Sequence, residues 1–260
     1  MAAEAKRLIV QAAALLRAGY CGPGALKQSV NGIPVLLSGN FESDRLVVLS
    51  PGFASSLTDY EAVVKALEDR ALVVRVFHEG NGRKAGLSAL FRYLVWRFFR
   101  GLRPIEAAKK VRAHIHRPEN RRCRVDQLKS VLDGLCTEFP RARLSLIGHS
   151  YGTDTALQAA LHFELSSLVL LSPHPPGYLF KEEDYGKLRA RRVVVITGTR
   201  DWTRDGVGPS ERLRVADFLS GEMKVARMCL EGVGHMDFAL SALGPTGWEA
   251  ELKEILDRWV

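Results

Sequence analysis

A serine hydroxyl becomes a useful nucleophile only when the backbone holds it clear of its surroundings and another group takes its proton. The stretch Ser145-Leu146-Ile147-Gly148-His149-Ser150-Tyr151-Gly152 meets the first condition. An apolar, strand-like run enters a Gly-His-Ser-Tyr-Gly turn, and a helical pattern follows from Thr153 through Leu161. Glycines two before and two after Ser150 let strand and helix approach closely enough to hold a strained turn. The helix start adds free N–H groups and a dipole that favour negative charge beside the serine.

The base must come from elsewhere in the chain. Of the seven histidines, His235 stands in Gly232-Val233-Gly234-His235-Met236-Asp237-Phe238, directly after the last apolar strand. It therefore projects from the same carboxyl edge of a sheet as Ser150. His149 adjoins the serine and is expected to point elsewhere on the turn. A carboxylate that orients the imidazole and stabilises its protonated form is expected at Asp201, which ends Val195-Ile196-Thr197-Gly198-Thr199-Arg200-Asp201; Asp205 is the alternative. The oxyanion formed during attack needs two backbone N–H donors. Tyr151 supplies one, and Phe53, in the loop Pro51-Gly52-Phe53-Ala54-Ser55-Ser56, the other.

These residues need a scaffold that brings distant segments to one edge. Gln28–Leu37 reads as two short strands around an Asn31-Gly32 turn. Arg45–Ser50, Ala71–Phe77, Leu168–Leu171, Arg192–Ile196 and Val225–Leu230 are further strands, the first two apolar enough for burial on both faces. Helical patterns lie between them: Val63, Val64 and Leu67; Leu128, Val131, Leu132, Leu135 and Cys136; Glu211–Leu219; and Trp248–Trp259. This alternation predicts an α/β fold, a mostly parallel sheet of about eight strands with helices on both faces and a mixed edge at the hairpin. No repeat or linker interrupts the 260 residues, so a single domain over 1–260 is expected, with an insert at about 79–117.

A hydrophobic fraction of 47% and a charged fraction of 25% are those of a soluble globular protein. The N-terminal run around Leu8-Ile9-Val10 carries Glu4 and Gln11, which favours a surface helix over a signal segment. Cys21, Cys123, Cys136 and Cys229 show neither a C-x-x-C pair nor metal-ligand spacing, which favours reduced thiols and a cytoplasmic setting, with no metal expected.

With these residues in view, the chain resembles the α/β hydrolases, and within them the bacterial dienelactone-hydrolase-like and platelet-activating-factor-acetylhydrolase-like serine esterases. The order Ser150, Asp201, His235 is theirs. Ser50-Pro51-Gly52-Phe53 is similar to their S-H-G-F loop, and His78-Glu79-Gly80-Asn81 to their H-P-G-N. Arg117-Pro118 with Val131-Leu132-Asp133, Ile196–Asp201 and Gly234–Phe238 also match, so the likeness spans roughly residues 30–260. Pro51 replaces the usual histidine, and Thr153 replaces a glycine after the turn. True dienelactone hydrolases carry a cysteine where this chain has Ser150. The resemblance implies hydrolysis of a small-molecule carboxylic ester without metal or organic cofactor.

Residues 83–124 hold thirteen Lys and Arg against Glu106 and Glu119, enough to account for the net charge of +8. On one helix over 90–103, Arg92, Arg97, Arg100 and Arg103 would share an arc, with Phe91, Leu94, Val95, Phe98 and Leu102 mostly opposite. Such a helix serves either as a lid whose aromatics cover the site or as a weak contact with anionic membrane. No nucleic-acid motif accompanies the charge. Phe91, Trp96, His174 and Tyr178 are the side chains expected to wall the substrate pocket, the last two from a short lid after Ser172.

Overall fold

A computed structural model describes residues 25–80, 82–203, 206–219, 223–240 and 247–260. The expected N-terminal helix, Cys21, Asn81 and Asp205 lie outside them. Eight strands form one sheet: β1 (Leu26–Val30), β2 (Ile33–Gly39), β3 (Arg45–Ser50), β4 (Leu72–Val76), β5 (Arg143–His149), β6 (Ser167–Leu171), β7 (Arg192–Arg200) and β8 (Lys224–Gly234). Their spatial order is β1-β2-β4-β3-β5-β6-β7-β8. The pairs β1–β2 and β2–β4 are antiparallel and all others parallel, so the mixed edge falls at the hairpin. Asn31 and Gly32, both at positive φ, close that hairpin.

Alternation along each strand decides which side chain meets which layer of helices. In β3, Leu46 and Val48 face one core with Leu146, Leu128 and Leu132, while Val47 and Leu49 face the other. The first core is covered by α4 (Pro118–Glu138) and α5 (Tyr151–Ala159), the second by α1 (Glu61–Leu67) and α7 (Trp248–Trp259). Burying four such side chains fully in a six-residue strand stabilises by about 1.5–3 kcal/mol each, which fixes the register firmly.

Between β4 and α4 the chain departs from the expected single helix over 90–103. Helix α2 (Arg83–Leu94) runs into one π turn, Val95–Phe99, and stops at Gly101, whose φ of 64° belongs to the left-handed region. Pro104 then opens α3 (Pro104–Ile115), and Glu106 caps it by accepting from the Arg103 N–H. Helix α4 begins at Pro118, well before the apolar spacing that announced it. Beyond β7 lies a short helix, α6 (Pro209–Leu213), followed by a tighter turn, Arg214–Asp217.

Candidate active site

The register of the sheet brings five strand ends to one edge. Ser50 pairs with Gly148, His149 with Leu171, and Arg200 with Gly234. Ser150, Asp201 and His235 each follow such an end by one residue, so residues 85 apart in sequence meet in space.

Ser150 sits at φ 52°, ψ −119°, outside the regions an L-residue ordinarily occupies. The turn tolerates this because its neighbours lack side chains. A Cβ on Gly148 would lie 2.6 Å from the Gly152 carbonyl oxygen, and one on Gly152 only 2.0 Å from that of Ser50. Thr153 Oγ1 donates to the Ser150 carbonyl at 2.6 Å, so the departure from glycine at this position fastens the turn. The Ser150 N–H donates to Leu171 at 2.9 Å.

Ser150 Oγ lies 2.8 Å from His235 Nε2, and His235 Nδ1 lies 2.8 Å from Asp201 Oδ1. The buried Asp201 carboxylate fixes the tautomer: Nδ1–H donates to it, leaving Nε2 to accept the serine proton. Burial pushes the His235 imidazole below its ordinary range, with Asp201 opposing the shift and Arg212 adding to it. Burial by itself would raise the Asp201 carboxyl. The His235 hydrogen bond and charge and the Arg212 guanidinium outweigh that and hold it well below the usual carboxylate range. Thr197 Oγ1 also donates to Asp201 Oδ2 at 2.8 Å.

Sequence reasoning missed four residues that hold this arrangement. Arg212 is buried with Nε 3.1 Å from Asp201 Oδ1, and it donates to the Ser172 and Pro173 carbonyls. His149 does point away from the serine, but Nε2–H donates to the His235 carbonyl at 2.9 Å. The Tyr60 hydroxyl in turn donates to His149 Nδ1 at 2.8 Å and accepts from the Gly52 N–H at 2.8 Å. Arg124 belongs to the basic segment yet is buried. It donates to the Pro51 carbonyl at 2.6 Å and stands 4.5 Å over the Tyr151 ring.

The Pro51–Ser56 loop lies against the turn, since a Cβ added to Gly52 would come within 3.4 Å of Ser150 Cβ. Phe53 follows in that loop, and Tyr151 opens α5 beside Ser150. The pocket residues divide. His174 pairs with Asp154 Oδ2, and its ring lies 5.1 Å from that of Tyr178. Phe91 and Trp96 do not join them. Phe91 is 69% exposed, and Trp96 packs with Tyr93, Leu102 and Ala107 inside the insert. His116, at the end of α3, packs with His174 and Tyr178 instead, its ring 4.4 Å from Tyr151 and 5.0 Å from His174. Phe180, beyond Tyr178, is buried in the core against Tyr185.

Solved structures share this architecture. An alpha-beta serine hydrolase homologue from Coxiella burnetii is 15% identical, with a TM-score of 0.60 over 92% of this chain and 98% of that one. Dienelactone hydrolase from Anabaena variabilis is 14% identical, with a TM-score of 0.58 over 91% and 97%. Naproxen esterase (carboxylesterase NP) from Bacillus subtilis is also 14% identical, with a TM-score of 0.60 over 97% and 95%. No family model matches the sequence, and no curated protein does. At such identities the likeness is one of fold: the chain has the α/β-hydrolase fold.

Proposed function

We propose that this protein is a serine hydrolase acting on carboxylic esters, with Ser150 as nucleophile, His235 as base and Asp201 as the orienting acid. The observation that carries this reading is the unbroken series from Ser150 Oγ through His235 to Asp201, two hydrogen bonds of 2.8 Å, at a strained strand-to-helix turn. Retaining a φ of 52° at a serine costs about 1–3 kcal/mol, a strain that suits a functional site.

The Ser150 proton passes to His235 Nε2 as Oγ bonds to the ester carbonyl carbon. The resulting oxyanion is held by the Phe53 and Tyr151 amides. The imidazolium returns its proton to the departing alkoxide as the carbon–oxygen bond breaks, leaving an acyl-serine and a free alcohol. Water, deprotonated by the same imidazole, then releases the acid and restores the hydroxyl. The serine hydrolases and esterases among structures of like fold support the reading.

Hydrolysis of p-nitrophenyl esters across a series of acyl lengths tests it. Turnover should fall about 10⁶-fold in Ser150→Ala. Equal rates in parent and variant would leave a fold that binds ligands or partners without this chemistry.

A further inference from the structure

The insert turns an apolar stripe outward. Among the described residues nine large apolar side chains are exposed, and five of them, Leu87, Phe91, Phe98, Phe99 and Ile105, lie within residues 87–105. Phe99 is 85% exposed. Leu87 and Phe91, four apart, share one side of α2, and Phe98 and Phe99 are exposed on the π turn that follows it. The opposite side already has its own core, where Tyr93 and Ala107 pack with Leu90, Trp96, Leu102 and Val111. The outward aromatics are therefore in excess of what the insert needs to fold, and a concentration of this kind marks a contact surface.

Charge identifies the partner. No acidic residue occurs between Glu79 and Glu106, while six basic ones do. Lys84, Arg92 and Arg100 are exposed among the same apolar residues, and α3 adds Ile105, Lys109 and Lys110. Two copies meeting through this face would set arginine against arginine. Phenylalanines interleaved with cations suit instead a boundary that is apolar on one side and anionic on the other. We propose that residues 84–110 dock on an anionic lipid surface. Phe91, Phe98 and Phe99 enter the acyl boundary, and Arg92, Arg100, Lys109 and Lys110 rest on the headgroups. The contact proposed is a peripheral one; no helix among the described residues is long and apolar enough to cross a membrane. It stands independently of the proposed hydrolysis.

Co-sedimentation with phosphatidylcholine vesicles, with and without phosphatidylserine, tests this at low and at physiological salt. The parent should bind the phosphatidylserine vesicles and release as salt rises. Arg92→Glu/Arg100→Glu should weaken that binding about tenfold or more. Phe98→Ser/Phe99→Ser should weaken it similarly, although every charge remains. All three proteins should melt alike, since the altered side chains are exposed or only partly covered. Equal sedimentation of parent and both variants overturns the proposal. So does a dimer in sedimentation velocity that Phe98→Ser/Phe99→Ser dissolves while the parent ignores vesicles, because the stripe would then face a second copy.

Discussion

His149 Nε2 donates to the His235 carbonyl oxygen at 2.9 Å, tying the residue before Ser150 to the backbone of His235. Its other nitrogen accepts from Tyr60, whose hydroxyl accepts from the Gly52 N–H. One buried imidazole and one buried phenol thus connect the turn, the His235 loop and the Pro51–Ser56 loop. Burial holds the His149 imidazole down to about 3, so it stays neutral and keeps one donor and one acceptor nitrogen. Tyr60 itself occupies φ 73°, a strained position for a tyrosine, and its N–H donates to Ala239.

Tyr60→Phe removes the partner of His149 Nδ1 and Ser55 Oγ in a buried setting. Unsatisfied buried groups cost about 1–3 kcal/mol each, so the variant should lose about 2–4 kcal/mol in urea unfolding. Its kcat should drop about tenfold or more while the acid limb of its pH profile stays in place, since Tyr60 does not touch His235. An unchanged kcat would show that the connection serves stability alone.

The pH dependence of kcat/KM follows from the environment of His235. Burial favours its neutral form, and Arg212 reinforces that preference against Asp201. The free base therefore persists below the ordinary histidine value of about 6.5. Activity should rise with pH along a limb whose midpoint lies under that value, then level off. A midpoint above it contradicts the assignment. Asp201→Asn, which leaves the Nδ1 proton without its carboxylate, should lower kcat about 10⁴-fold.

Stability should weaken in mild acid for a related reason. Burial lowers both His149 and His78 in the folded chain, so the unfolded chain binds more protons below about pH 6.5. Their contribution is complete above that value and is lost as pH falls from it, continuing towards about 3 for His149. Each can steepen the loss by about 1.4 kcal/mol per pH unit. Urea midpoints measured across this window should show the slope, and His149→Gln should flatten it. A flat dependence would mean that these imidazoles are charged when folded.

Gly152→Ala places a methyl 2.0 Å from the Ser50 carbonyl oxygen and 2.7 Å from that of Pro51, both backbone atoms that cannot swing aside. Overpacking of this sort costs about 1–3 kcal/mol or more. A lower melting temperature together with loss of ester hydrolysis is expected. An unperturbed melt would show that β3 and the turn sit further apart.

The sheet was legible because most of its strands are apolar runs, and the ends of three of them fall where Ser150, Asp201 and His235 meet. Ser150, Asp201 and His235 each follow such a run, and the same runs pair in register. Arg124 and His116 were illegible for the opposite reason: they lie in a segment whose composition announces solvated charge, and composition does not say which cations turn inward. Arg212 and Tyr60 act through contacts to residues 11 and 89 positions away, which no local pattern encodes. The insert misled at Gly101, where a left-handed turn divides what the spacing of arginines presented as one helix. Phe98 and Phe99, in the π turn just before that division, are exposed.

Whether Ser150 is activated is measured most directly by covalent labelling with a fluorophosphonate probe. The probe bonds to a serine oxygen only when a base removes its proton and donors stabilise the resulting charge. Mass spectrometry of the parent should place one adduct on the peptide containing Ser150, and His235→Ala should abolish it although the serine remains. A parent protein that stays unlabelled, or carries its adduct on another residue, would contradict the assignment.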